Sequence, residues 1–355
     1  MGGYAPRTGA FNNDSQLRQP GGGLLSSGLQ QVRDRPFALS EWASVFPNMW
    51  AAESPVLIAA YGLGLQGWDA SYAFASSASG RRYHGWASAL QHATGLWLVD
   101  VPHHIGLYPA LARMIYRGDV REGALIAARR VALEQLRTDS LDFSEEVRQE
   151  GDFKEFQSSM PIAAVAAGRV AVEFVAAATN STLPNMSDYV NGALIRANNG
   201  QLAWDGDKGY FVINTPGTKG VVGFAGGGTY AIGDVRIKLT TPFAVVLLTS
   251  LSRDKGLDEA GGILVVAMAR VFNRGMQYNT QGTVLEKMGD APLMLEPVNA
   301  VVTIGGREIA AVHVVDHDGL LTNRKATATR HQFTIDGTVD KTMYYAVQLR
   351  PRGRK

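Results

Sequence analysis

An α/β unit followed by a larger antiparallel all-β region is the fold class this chain predicts. Three observations predict it. Between residues 31 and 118, short apolar strand signals alternate with apolar runs at helical spacing. From Asp119 onward the pattern shortens to β-prone runs cut by Gly-rich turns. The 40 glycines and 19% charged residues favour turns and strands over long solvated helices. With 355 residues, the chain has room for two domains of the usual ~100–200 residues.

Residues 1–30 are rich in Gly, Asn and Gln and read as a flexible N-terminal arm. They lack a basic-then-apolar leader pattern, and localisation stays open. "RPFALSEW" follows as a short apolar strand ending in Glu41. "PNMWAAESPVLIAAYGLG" predicts a helix, with Pro47 or Pro55 suited to its first turn. "GLQGWDASYAF" reads as a second buried strand. "IGLYPALARMIYRGD" predicts a second helix, with Leu107, Leu111, Met114 and Ile115 on one face and Gly118 as its stop. Strand, helix, strand, helix is the pattern of parallel β/α units.

Residues 119–355 predict a β-sandwich region, with a possible break between sub-domains near 180–200. Runs such as "RVAVEFVAA", "GVVGFAG", "PFAVVLLTSL" and "GGILVVAMARVFN" supply strands, and "PGTKG", "DHDG" and "IDGT" supply turns. The polar segment 137–160 suits a loop or short helix at the surface.

Net charge is +2, with both signs spread along the chain, so no nucleic-acid surface is indicated. The absence of cysteine excludes disulfides and thiolate metal sites. Apolar stretches are interrupted by charges such as Arg169 and Glu173, which argues against a membrane span. Adjacent His103 and His104 diverge in either a strand or a helix, a poor arrangement for one metal. His313, Asp316, His317 and Asp318 cluster at "HVVDHDG", whose "VVDHDG" closes a strand and reads as a turn rather than a metal site. The "GFAGGG" run lacks the lysine and helix of a phosphate loop. Neither a metal nor an organic cofactor is expected.

Chemistry is predicted where the first two strands end. In a (β/α) barrel, side chains at the carboxyl ends of parallel strands converge on one face. Glu41 ends one strand, and Gln66, Trp68 and Asp69 are read as ending the next. A carboxylate beside an indole suits glycosidic chemistry: the acid meets the anomeric carbon and the ring stacks on the sugar.

"RPFALSEW" followed by "PNMWAAESPVLIAAYGLGLQGWD" resembles strands seven and eight of the clan A retaining glycoside hydrolases, with the helix between them. "DVPHHIGLYPALARMIYRGDVREG" is similar to the last barrel helix of β-galactosidase-like members. "GYFVINTPGTKGVVGFAGG" and "MLEPVNAVVTI" resemble their accessory sandwich. The resemblance implies an incomplete (β/α) barrel segment over 31–118. It also implies hydrolysis of β-glycosides, β-galactosides among them, by a retaining double displacement.

Glu41 then maps onto the nucleophile and Trp68 onto the aromatic subsite floor. Trp42 would shape the subsite, Gln66 and Asp69 would bind hydroxyls, and Asp69 is the nearest candidate for the second catalytic carboxyl. Glu53 reads as structural, while Glu145, Glu146, Asp152 and Glu155 are further candidates from a loop or a neighbouring subunit. The family's Asn-Glu pair that supplies the acid/base has no counterpart upstream of Glu41. Two β/α units also leave an apolar flank uncovered, so a homo-oligomer acting on a carbohydrate is expected. A non-catalytic carbohydrate-binding or assembly protein, or a fragment of a longer enzyme, is the alternative.

Overall fold

The computed structural model describes residues 8–74, 85–90, 97–150 and 153–351. Strand β1, Ala38–Trp42, is followed by helix α1, Glu53–Leu57, which continues as a π-helical stretch over Ile58–Leu65. Pro55 stands in the first turn of α1. Strand β2, Ala70–Ala73, then returns parallel to β1. Helix α2, Tyr108–Tyr116, buries Ala110, Leu111 and Met114. Gly118, with φ of +63°, ends it, while Ile115 is 43% exposed rather than on the buried face.

Strand β3, Leu125–Ala132, lies further along, followed by hairpin strands β4, Glu145–Glu150, and β5, Phe153–Ser158. Strand β6, Arg169–Val175, pairs parallel with β3. Val32 adds a parallel bridge to Val172. The expected sandwich boundary at 119 is therefore corrected: residues 125–175 build a separate parallel pair and a hairpin. The 137–160 segment holds that hairpin instead of a loop or helix, with Val147 opposite Phe156 and Glu150 opposite Phe153 across the pair.

The antiparallel region begins at Val190. One ten-stranded sheet runs from Leu321–Lys325 through Ile309–Val315, Tyr344–Leu349, Gly262–Met268, Ala244–Ser250, Thr218–Gly223, Tyr210–Asn214, Leu202–Asp205 and Leu194–Arg196 to Val190–Asn191. A four-stranded sheet, Thr229–Ile232, Val235–Leu239, Asn299–Ile304 and Gln332–Asp336, covers one of its faces. Alternation divides each central strand between two cores. In Ala244–Ser250, Val246 and Leu248 face the small sheet, whereas Val245 and Leu247 join Leu57, Tyr61 and Leu111 of the helical layer. Continuous apolar runs such as "AVVLL" follow from burial on both sides.

The flexible-arm expectation for residues 1–30 is also corrected over the part described. Leu17, Leu25 and Leu29 are fully buried in the helical-layer core, and Leu17 O accepts the Trp204 indole N–H at 2.8 Å. Burying three leucines offsets part of the ordering cost of a polar segment. Among the described residues the parallel strands do not close into a barrel.

Candidate functional site

The paired strands β1 and β2 set the geometry. Ala38 is level with Ala70, Leu39 with Ser71 and Trp42 with Ala73, and the register shifts between Leu39 and Trp42. Ser40 and Glu41 occupy that shift and are exposed, while Leu39 and Trp42 on either side are buried. A bulge of this kind re-aims a side chain at a strand end. Glu41 therefore reaches solvent at the carboxyl end of β1, level with Tyr72.

Trp42 anchors this turn. Its indole N–H donates to Ser71 Oγ at 2.9 Å, and its ring stacks on His104 at 5.1 Å and 15°. His104 Nε2 lies 3.1 Å from the Tyr108 hydroxyl. Burial pushes the His104 imidazole down to about 4, so it is neutral at ordinary pH. Trp42 is 5% exposed, which corrects its expected role as a subsite wall: it supports Glu41 from behind.

Gln66, Trp68 and Asp69 are not beside Glu41. All three precede Ala70 on the amino side of β2, and Asp69, the nearest, is three residues of strand, or about 10 Å, from the level of Glu41. Gln66 is fully buried: its amide donates to the Val165 and Gly168 carbonyls at 2.7 Å each and accepts from the Val170 N–H at 3.1 Å. Trp68 is 3% exposed and packs against Phe37 at 5.2 Å. Gly62 makes room for it, since a Cβ there would come within 2.6 Å of the indole. Asp69 is exposed, accepts the Phe37 N–H at 2.8 Å, and donates its own N–H to the Phe37 carbonyl at 2.9 Å. These residues join the strand pair to its surroundings, so their expected sugar contacts and the acid role for Asp69 are corrected.

The aromatic side chains level with or beyond Glu41 are others. Tyr72 is 60% exposed and Phe74 43% exposed. Trp97 meets Phe74 edge-on at 5.5 Å, and the Phe74 N–H donates to the Trp42 carbonyl at 2.7 Å. No family model, curated protein or solved structure matches this chain. The site is therefore weighed on its own geometry. Gly67, with φ of +68°, was the sequence signal for the correct register: a glycine that ends a helix places the following Trp68 and Asp69 at the start of the next strand.

The other carboxyl candidates have separate duties. Glu53 is buried, accepts from Ser15 Oγ at 2.6 Å and Gln16 N–H at 2.7 Å, and is pushed up to about 8 by burial. Glu145 pairs with the buried Arg129, and Glu155 accepts the Gly23 N–H at 3.0 Å. Glu146 is exposed on the hairpin, and Asp152 lies outside the described residues. Asp316 accepts from the Asp318 and Leu320 N–H groups and closes a turn. Among the described residues no group of three or more His, Asp or Glu is placed to hold a metal ion. No described helix is long and apolar enough to cross a membrane.

Proposed function

We propose that this chain carries the nucleophile half of a retaining β-glycosidase site, with Glu41 as nucleophile, on an incomplete (β/α) barrel segment. One observation supports this reading above the rest: an exposed carboxylate at the carboxyl end of a parallel strand, level with Tyr72, with Phe74 just beyond. Glu41 attacks the anomeric carbon and forms a glycosyl ester while the aglycone oxygen leaves with a proton from an acid. The conjugate base then takes a proton from water, which displaces Glu41 and releases the sugar with retained configuration. Tyr72 and Phe74 offer the apolar platform a pyranose ring needs. The acid, which must lie about 5–5.5 Å from Glu41 in a retaining site, comes from a second polypeptide in this reading.

A non-catalytic carbohydrate-binding role is the second reading, favoured by the placement of Asp69 at the opposite strand end. Aryl β-glycosides with good leaving groups separate the two, since they need little acid assistance. We expect a 2-fluoro-β-glycoside with an activated leaving group to add one glycosyl mass on the peptide containing Glu41. Glu41→Gln should abolish that label without lowering the melting temperature. Sugar binding without label or turnover would favour the second reading, and neither binding nor label would sink both.

A further inference from the structure

We propose that the chain associates with a second copy of itself by seating the acidic β4–β5 hairpin of one copy in an arginine-lined groove of the other. This contact is independent of the glycosidase reading. The groove, of about 600 Å³, lies between the outer side of α2 and the turn after strand Ala244–Ser250. Its lining includes Ala112, Arg113, Tyr116, Leu251 and Arg253, and among the described residues no Asp or Glu. Tyr116 is 91% exposed and Leu251 40% exposed, an apolar floor between cationic walls. Arg113 is held in place by donating to the Leu251 carbonyl at 3.0 Å. Arg117 beneath them is neutralised by Asp119 at 2.6 Å. Arg113 and Arg253 remain as the groove's working charges.

The hairpin has the complementary chemistry. Its described residues hold four glutamates, Glu145, Glu146, Glu150 and Glu155, against two cations, Arg148 and Lys154. Those cations lie over the hairpin's own Phe153 and Phe156 rings, at 5.4 Å and 5.1 Å. Glu145 and Glu155 are turned to their own chain, through Arg129 and the Gly23 N–H. Glu146 and Glu150 share one face about 13 Å apart, both exposed. Phe153, level with Glu150 on that same face, is 44% exposed, apolar area suited to Tyr116 and Leu251. Exchanged reciprocally, the contact closes a two-fold dimer; made once per copy, it grows into rings or chains.

Sedimentation velocity over a concentration series tests it. The mass should rise above the 38.2 kDa of one chain and fall back in 1 M salt, where screening shortens to about 3 Å. Tyr116→Ala with Arg253→Glu, or Glu146→Lys with Glu150→Lys, should each weaken self-association about tenfold or more while leaving the melting temperature unchanged. Mixing the two variants should restore association, because one keeps its hairpin and the other its groove. Hydrogen exchange on the unaltered chain is the check that needs no substitution: residues 145–158 and 112–117 should gain protection with concentration. A single-chain mass throughout, association that both variants leave unchanged, or no protection at either segment would overturn the proposal.

Discussion

Strands Ala244–Ser250 and Ala38–Trp42 are both read from apolar sequence, yet the first is buried at every position and the second only at Leu39 and Trp42. The difference is in what surrounds them. The first sits mid-sheet between antiparallel neighbours, with helices on one face and a second sheet on the other. Among the described residues the second has one parallel partner, and the pair has exposed residues Ser40, Glu41 and Tyr72. Parallel strands are normally covered on both faces. A parallel pair with one bare face is a poor stabilising element and a good place for chemistry.

The largest test of this contrast is at the junction of the large sheet and the helical layer. Trp204 is fully buried, 5.0 Å from Tyr61 and 6.0 Å from Phe211, with its N–H on the Leu17 carbonyl. Trp204→Ala should cost about 3–5 kcal/mol in equilibrium denaturation, because it leaves a cavity and an unpaired carbonyl. A cost below about 1 kcal/mol would mean that the two cores are not tight.

A smaller and pH-dependent effect is expected at Glu53, which ties residues 15–16 to α1 through Ser15 Oγ and the Gln16 N–H. Burial raises the Glu53 carboxyl from 4.5 to about 8 in the folded chain. The folded state therefore holds this proton more tightly than the unfolded chain. Its contribution to stability is full below about pH 4.5 and declines as pH rises toward 8. Glu53→Gln removes that titration and keeps one acceptor oxygen, for the Gln16 N–H, while its amide N–H can donate to Ser15 Oγ. Denaturation at pH 5 and pH 8 should show the variant gaining on the unaltered chain at the higher pH, and an equal difference at both would refute the linkage.

The same contrast explains what could be read from the chain. The antiparallel region was legible because its runs and Gly-rich turns are local signals, and so was α2, through its apolar spacing and Gly118. The two-faced burial of "AVVLL" was not, since a continuous apolar run does not say what covers each side. The anchoring of Leu17, Leu25 and Leu29 depends on partners far along the chain, as the Leu17–Trp204 bond illustrates. Glu41 is legible as a strand-end acid, whereas the placement of Trp68 at the amino end of β2 and the exposure of Tyr72 depend on register. Gly67 is the local signal of that register.

The smallest expected effect is at Tyr72, and it separates the open face from the packed one. Its ring is 60% exposed on a strand whose buried contacts come from other positions. Tyr72→Ala should therefore change folding stability by no more than about 0.5 kcal/mol. If the ring serves as a sugar platform, losing it removes a contact of about 0.5–1.5 kcal/mol, or roughly twofold to tenfold in the apparent binding of a β-glycoside. The labelling rate at saturating 2-fluoroglycoside should stay near that of the unaltered chain, because Tyr72 holds the ring and takes no part in bond exchange. A stability loss of several kcal/mol would place Tyr72 in a packed interior and remove the bare face from which the glycosidase reading starts.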